Sequence, residues 1–199
     1  MEPFELRLAT PVGTVGVQWN VAGVLCGIRW IDTGLQASDS FSAPLPPLPL
    51  KVCAFIGKLN AYFESGEPLG DIPWDSIDSQ GWTPFQAKVY SAITAIPHGE
   101  TRSYGWVATR IQAPFASRAV GQALRRNPMM ILVPCHRVVP TMGGLGGFKG
   151  QDDPNQPELR VKKRLLDLED SYRSPTFSFL AALGQGGVVQ LFPTVASTA

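Results

Sequence analysis

A chain of 199 residues, 44% hydrophobic and 17% charged, is ordinary for a globular protein and long enough for one domain or two small ones with a real core. It holds no uninterrupted apolar window of about 18 residues, which excludes a membrane-spanning helix, and Met1-Glu2-Pro3-Phe4-Glu5 lacks the basic-then-apolar run of a secretory signal. Three scattered cysteines (Cys26, Cys53, Cys135) and two histidines exclude a disulfide framework and a zinc pattern, so a reduced intracellular compartment is expected: cytoplasm, or nucleus in a eukaryote.

The net charge of +1 hides an asymmetry. Residues 1–82 hold 4 Lys and Arg against 9 Asp and Glu, net −5, whereas residues 83–170 hold 12 against 7, net +5. A basic half beside an acidic half is a mild pointer to an anionic partner for the second half.

The first part reads as strands and then a helix. Glu5–Thr10 and Val15–Trp19 alternate around the turn Pro11-Val12-Gly13, and Val24–Ile31 follows the turn Asn20–Gly23, predicting two or three antiparallel strands. Cys26 falls in the third strand, as core. Ser38–Leu50 is polar and then proline-rich, and reads as a connecting loop. Leu50–Ser65 is helical: Val52, Phe55, Ile56, Leu59, Tyr62 and Phe63 share a face, Cys53 is structural, and Gly66 sits where a C-cap belongs. Pro68–Trp82 has no clear period and reads as an interdomain linker.

The second part opens on Thr83-Pro84-Phe85-Gln86, where Thr can cap, Pro suits the first helical position and Gln completes a capping box. Phe85, Val89, Ala92, Ile93 and Ile96 form the buried stripe of that helix, and Pro97-His98-Gly99 ends it, with His98 read as surface. Thr101 or Ser103 can cap a second helix, Tyr104–Ile111. After a turn at Gln112–Ser117, a third helix runs from Arg118 to about Asn127. Its apolar face is Ala119, Val120, Ala123 and Leu124, and it exposes Arg118, Gln122, Arg125 and Arg126. A helix, a short turn and a small-residue helix bearing arginines make a helix-turn-helix pattern, and Ala119, Gly121 and Ala123 would let the helix lie close against a DNA groove.

The apolar run that begins at Ile131 reads as a buried strand ended by Pro134, so that Cys135 and His136 stand at its end as a candidate nucleophile and base. A lone cysteine more often just packs. Five glycines within Thr141–Gly150 suit a loop whose backbone approaches a flat ligand, and lack the Lys-Ser/Thr of a phosphate-binding loop. Leu159–Asp170 is a final amphipathic helix, with Val161, Leu165, Leu166 and Leu168 inward and Lys162, Lys163 and Arg164 outward. Ser171–Ala199 carries one charge and is too apolar for a typical disordered tail, so it should pack on its own body or on a partner.

Pro134-Cys135-His136-Arg137-Val138, with Asn127-Pro128 and Arg118-Ala119-Val120-Gly121 before it, resembles the O6-alkylguanine-DNA alkyltransferases. Thr83-Pro84-Phe85-Gln86, the run Ile96–Tyr104, and Leu159, Lys162, Leu165-Leu166 and Glu169 match the same family in order. The resemblance is dense over Thr83–Glu169 and looser before it. It implies an α+β chain: a small N-terminal antiparallel-sheet (RNase H-like) domain with its linker at 1–82, a mainly helical, helix-turn-helix domain for DNA binding and alkyl transfer at 83–170, and an apolar tail of unknown role at 171–199.

It implies a monomer that needs no cofactor or metal, flips O6-alkylguanine out of duplex DNA, and moves the alkyl group irreversibly to Cys135, once per molecule. O4-alkylthymine is left open as a second substrate. By the same resemblance His136 takes the thiol proton through a water, Glu169 orients the imidazole, Tyr104 donates to the base ring and crowds a phosphate, and Asn127 ties the turns that carry the nucleophile. Arg118 fills the gap left by the flipped base. Ser103, Tyr104, Ala119, Gln122, Arg125 and Thr141 join it against DNA, with the third helix in the minor groove. Leu124, Val138, Phe148, Lys149 and Gly150 form the pocket. Three departures stand out: Phe148 where the family usually has Tyr, Gly150-Gln151 where it has Gly-Gly, and an apparent insertion at Asp152–Glu158.

Three other classes compete. A damage-binding protein without chemistry would lack the cysteine. A cysteine hydrolase would leave the helix-turn-helix idle, and a plain DNA-binding regulator would leave Cys135, His136 and Glu169 unexplained.

Overall fold

The computed structural model describes residues 3–31, 48–71, 74–148, 156–173 and 191–194. The chain divides into two compact units, Met1–Asp78 with Gly184–Ala199, and Ser79–Leu183. The architecture is α+β.

The first unit is built on three alternating strands, β1 (Phe4–Thr10), β2 (Gly13–Trp19) and β3 (Leu25–Ile31). All pair antiparallel, with Leu6 opposite Val17 and Leu8 opposite Val15, and Val17 opposite Ile28. These side chains are almost fully buried, because period-two alternation turns every second residue to one face. The other face carries a polar cluster. Glu5 accepts from Arg29 (Nη2, 2.5 Å), Gln18 (2.8 Å) and Arg7 (3.2 Å). Burial pushes the Glu5 carboxyl up, but those guanidinium bonds outweigh it and hold it below its ordinary value. Helix α1 (Leu50–Ser65) buries the six residues its period predicts, and Gly66 ends it at φ 73°, a left-handed conformation suited to glycine.

A fourth strand, β6 (Leu191–Thr194), joins this sheet antiparallel to β1, giving the order β3-β2-β1-β6. The apolar tail thus returns to its own body along the β1 edge, while the rest of 174–199 lies outside the described residues. So do most of the proline-rich loop and 149–155, which include Lys149, Gly150 and most of the apparent insertion.

The second unit begins with α2 (Pro84–Thr94), whose capping box is complete: Gln86 N donates to Thr83 Oγ1 (3.2 Å) and Thr83 N to Gln86 Oε1 (2.8 Å). Tyr90, absent from the predicted stripe, is fully buried and donates to the Ala123 carbonyl (3.0 Å). The helix-turn-helix consists of α3 (Tyr104–Arg110), capped by Ser103, and α4 (Ser117–Arg125). Val120, Ala123 and Leu124 of α4 are buried, whereas Ala119, expected on the apolar face, is exposed.

The apolar run before Cys135 is buried as expected but is not a strand. Leu132 N bonds the Met130 carbonyl (2.9 Å) and Val133 N the Met129 carbonyl (2.8 Å), closing a tight turn with Ile131 at φ 73°. Composition reports burial, and a buried turn needs the same apolar residues as a buried strand. After it come a 3-10 helix, Cys135–Arg137, and β5 (Val138–Val139). β5 pairs in parallel with β4 (Arg102–Ser103), setting Ser103 opposite Val139. Helix α5 spans Pro157–Arg173.

Candidate active site

Two short strands join the chain just after the cysteine to the chain just before the helix-turn-helix. The Cys135 3-10 helix and the N-terminus of α3 are neighbours for that reason. Cys135 is 4% exposed, and its amide bonds the Val133 carbonyl at 2.8 Å, so the thiol rides on a fixed turn. That turn is tied by Asn127. Its Nδ2 donates to the Val133 carbonyl (2.8 Å) and its Oδ1 accepts from Met129 N (2.9 Å), both buried.

His136 and Glu169 are wholly buried, with Nε2 of the imidazole 2.7 Å from Oε1 of the carboxylate. Arg137 grips the same carboxylate through Nε (2.9 Å to Oε2) and Nη2 (3.0 Å to Oε1), and its Nη1 donates to the Ile96 carbonyl (2.9 Å). Gly99 N donates to Oε2 (3.0 Å), and His98 Nδ1 lies 3.5 Å from it. His98 is therefore not the surface residue that its turn suggested: only 11% of its side chain is exposed, with Glu169 beside it.

The electrostatics fix the proton positions. Burial pushes Glu169 up, but the hydrogen bonds and charges of His136 and Arg137 outweigh it and hold the carboxyl far below its ordinary range. Burial dominates at His136 and lowers it, against the opposing pull of Glu169. A neutral imidazole facing an ionised carboxylate must carry its proton on Nε2, since a carboxylate only accepts. Nδ1 is then a bare lone pair, and it meets no hydrogen-bond partner among the described residues.

Tyr104 opens α3, and its hydroxyl donates to the Gly147 carbonyl (3.3 Å). Burial and the charge of Cys135 both raise it, keeping it a proton donor. Ser103 is committed in part to capping, accepting from Trp106 N (3.0 Å). Arg118, Ala119, Gln122 and Arg125 are exposed on α4 and Thr141 on the loop after β5, whereas Leu124, Val138 and Phe148 are buried.

Sequence reading missed two members of the site. Arg137 takes both carboxylate oxygens of Glu169 and lies inside the quoted Cys-His motif. Lys162, read as outward, is wholly buried, with Nζ donating to the carbonyls of Val138 (2.7 Å), Leu145 (2.5 Å) and Gly147 (3.4 Å). Helical spacing held the signal, because Lys162, Leu165 and Glu169 fall on one stripe of α5.

A family profile described as "6-O-methylguanine DNA methyltransferase, DNA binding domain" matches residues 84–171. The methylated-DNA–protein-cysteine methyltransferase of Mycobacterium bovis is 38% identical over 169 residues, covering 83% of this chain and 91% of that protein. The constitutive protein of that name from Bacillus subtilis is 40% identical over 112 residues, covering 56% of this chain and 62% of its own. Among solved structures, Mycobacterium tuberculosis OGT in complex with DNA matches with a TM-score of 0.66 at 34% identity, covering 87% of this chain and 97% of that one.

Proposed function

The chain belongs to the methylated-DNA–protein-cysteine methyltransferase family, and we propose Cys135 as its alkyl acceptor. Membership makes it a DNA-repair methyltransferase that moves an alkyl group from methylated guanine to a cysteine of its own. The observation that carries the assignment is the bond between two wholly buried groups, His136 Nε2 to Glu169 Oε1 at 2.7 Å, next in sequence to a cysteine on a fixed turn.

The chemistry runs as a single displacement. A thiol is mostly protonated near neutral pH, and the thiolate is the nucleophile. The Cys135 proton passes through a bridging water to Nδ1 of His136, and the imidazolium formed is held by Glu169, as in hydrolase triads. The sulfur electron pair attacks the alkyl carbon, the carbon–O6 bond breaks, and its electrons stay on the guanine. Tyr104 turns its hydroxyl from Gly147 to the base ring and donates a hydrogen bond that stabilises the charge developing on the leaving purine, which then takes its proton from water. Reversal would have to expel the Cys135 thiolate from an unactivated thioether carbon by attack of the weaker purine oxygen, so transfer is irreversible and stoichiometric.

A buried thiol cannot reach a stacked base, so the alkylguanine must be flipped out. Val138, Leu124 and Phe148 suit its pocket wall, and the family resemblance assigns Lys149 and Gly150, which lie outside the described residues, to the same pocket. Exposed Ala119 on α4 suits close approach to a minor groove, with Gln122, Arg125, Ser103, Tyr104 and Thr141 toward the backbone and Arg118 in the gap left by the base. O4-alkylthymine, which likewise carries its alkyl group on an exocyclic oxygen, is a further candidate substrate of the same site. These parts fall within 83–170, read as the working domain, and the partner is double-stranded DNA met by a monomer.

Intact mass spectrometry after mixing with a duplex bearing one O6-methylguanine tests the assignment. One added methyl on Cys135, with no turnover beyond one equivalent, is expected. Cys135→Ser should bind the duplex and gain no mass. Unchanged mass of the parent with DNA bound would sink the assignment in favour of damage binding alone.

A further inference from the structure

The two most exposed large apolar side chains among the described residues are Phe115, at 101%, and Met142, at 97%. Single apolar residues at a surface are common, and exposure by itself points to nothing. Their position does. Phe115 lies in the turn of the helix-turn-helix, two residues before α4 and three before Arg118. Met142 lies in the glycine-rich loop, directly after Thr141. Both elements pack on Tyr104: a Cβ on Gly121 of α4 would lie 3.8 Å from its ring, and a Cβ on Gly146 of the loop 3.5 Å from its hydroxyl. The two exposed side chains thus stand on the two elements that meet at the residue opening α3.

Phe115 is also rigidly mounted. The Ala116 amide donates to the Ala113 carbonyl (2.8 Å) and the Ala113 amide to the Ala108 carbonyl (2.8 Å), after Gln112 at φ 60°. Pro114, just before the ring, fixes one more dihedral of the turn. A phenylalanine on a pre-set turn loses little conformational freedom when it is covered, and covering it contributes more than an exposed ion pair does. The charge around it selects the covering surface. From Thr101 to Gln151 the chain holds seven Lys and Arg and no Asp or Glu. Of these, Arg118, Arg125 and Arg126 are exposed along α4 and at its end. A polyanion with apolar faces between its charges fits both features, and a nucleic-acid strand is one: phosphates alternate with deoxyribose, whose C–H groups wall the minor groove.

We propose that Phe115 and Met142 pack on deoxyribose along the minor groove beside the flipped nucleotide, giving duplex binding an apolar component that salt does not screen. The proposal rests on α4 facing the duplex, as the reading above has it. Arginine contacts to phosphate weaken as salt rises, because they release counterions that salt puts back. Apolar contact with sugar releases none, so it persists where the arginines have lost their hold. It also carries no base preference, which suits a protein that must find a lesion in any sequence.

Equilibrium binding to an undamaged duplex, at roughly 50 to 200 mM salt, is to be measured for the parent, Phe115→Ser, Phe115→Leu, Met142→Ser and the Phe115→Ser, Met142→Ser double variant. Both side chains are fully exposed, so the variants should fold and melt as the parent does. Phe115→Ser is expected to weaken binding roughly tenfold at every salt concentration, with the slope of log affinity against log salt unchanged. Met142→Ser should give a smaller loss of the same kind, and Phe115→Leu, which stays apolar, should keep most of the affinity. A loss under about twofold in the double variant, a loss that vanishes at high salt, a changed slope, or equal losses from Phe115→Leu and Phe115→Ser overturns the proposal. Sedimentation velocity covers another occupant. A parent that self-associates and a Phe115→Ser protein that does not, at equal duplex affinity, would assign the ring to a second copy of the chain and overturn the proposal too. A parent that binds no duplex at all defeats the DNA-facing reading of α4 itself, a failure distinct from these.

Discussion

Glu169 approaches His136 at 2.7 Å with both side chains wholly buried, and it does so from a helix 33 residues further along the chain. The pair is held by more than its own bond. Arg137, next to the histidine, takes both carboxylate oxygens, so the 3-10 helix bearing Cys135 is locked to α5 twice. A carboxylate that accepts from an arginine, an imidazole and the Gly99 amide has little reason to take a proton.

Glu169→Gln tests the orienting role. The amide offers an N–H where the carboxylate offered only lone pairs, so it can reverse the imidazole tautomer and remove the lone pair at Nδ1. Transfer should slow by roughly 100-fold or more, by analogy with carboxamide substitution in hydrolase triads. Melting should also drop, since Arg137 keeps its charge and loses its counterion. Single-turnover rates and a melting curve decide, and a transfer rate within a factor of about two of the parent would end the triad reading.

The pH dependence follows from the same pair. Both folded-state values lie below the ordinary ones, 6.5 for the imidazole and 4.5 for the carboxyl, so the unfolded chain takes up protons first. Stability should therefore fall with falling pH, beginning below 6.5 through His136 and continuing below 4.5 through Glu169 and, in the other unit, Glu5. Nitrogen-15 NMR of His136 is the direct check: a neutral ring protonated on Nε2 at pH 6.5. A doubly protonated ring there would refute the proton assignment.

Asn127 makes a stability prediction separable from the chemistry. Its side chain satisfies the Val133 carbonyl and the Met129 amide, closing a turn in which a β-branched residue, Ile131, sits at φ 73°. Such a conformation is strained and persists only when its surroundings impose it. Asn127→Ala should cost about 1–3 kcal/mol of stability for the buried groups left unpaired. It should also slow transfer while the duplex still binds. Denaturant unfolding of both proteins tests this, and equal midpoints with equal rates would contradict it.

What the sequence disclosed was mostly local. The Thr83–Gln86 capping box and the Gly66 terminus are complete within a few residues, and both are present as read. The Cys-His pair and its neighbours stood out because motif order is itself local information. The run at Ile131 was misread because burial and strand geometry have the same composition, and only a backbone angle separates them. Lys162 was misread because charge was weighed above helical position. The partners that bury it, Leu145 and Gly147, are main-chain carbonyls and leave no trace in residue type. The pairing of Leu191–Thr194 with β1 spans nearly the whole chain, and nothing in either segment names the other.

Arg118 separates DNA handling from chemistry. It is exposed as the second residue of α4, and it makes no ion pair or side-chain hydrogen bond among the described residues. Arg118→Ala should therefore leave melting nearly unchanged, within roughly 0.5 kcal/mol. Its proposed work is to fill the stack once the base has left, which offsets part of the few kcal/mol that flipping costs. Free O6-methylguanine needs no flipping. The substitution should slow repair of the duplex roughly tenfold or more, if the inserted guanidinium contributes about 1.4 kcal/mol, and leave the reaction with the free base as it was. A duplex in which the lesion faces no base partner, already partly unstacked, should show a smaller loss. Equal losses with duplex and free base would assign Arg118 to the pocket or the fold, and no loss with either would leave the finger role to another residue of α4.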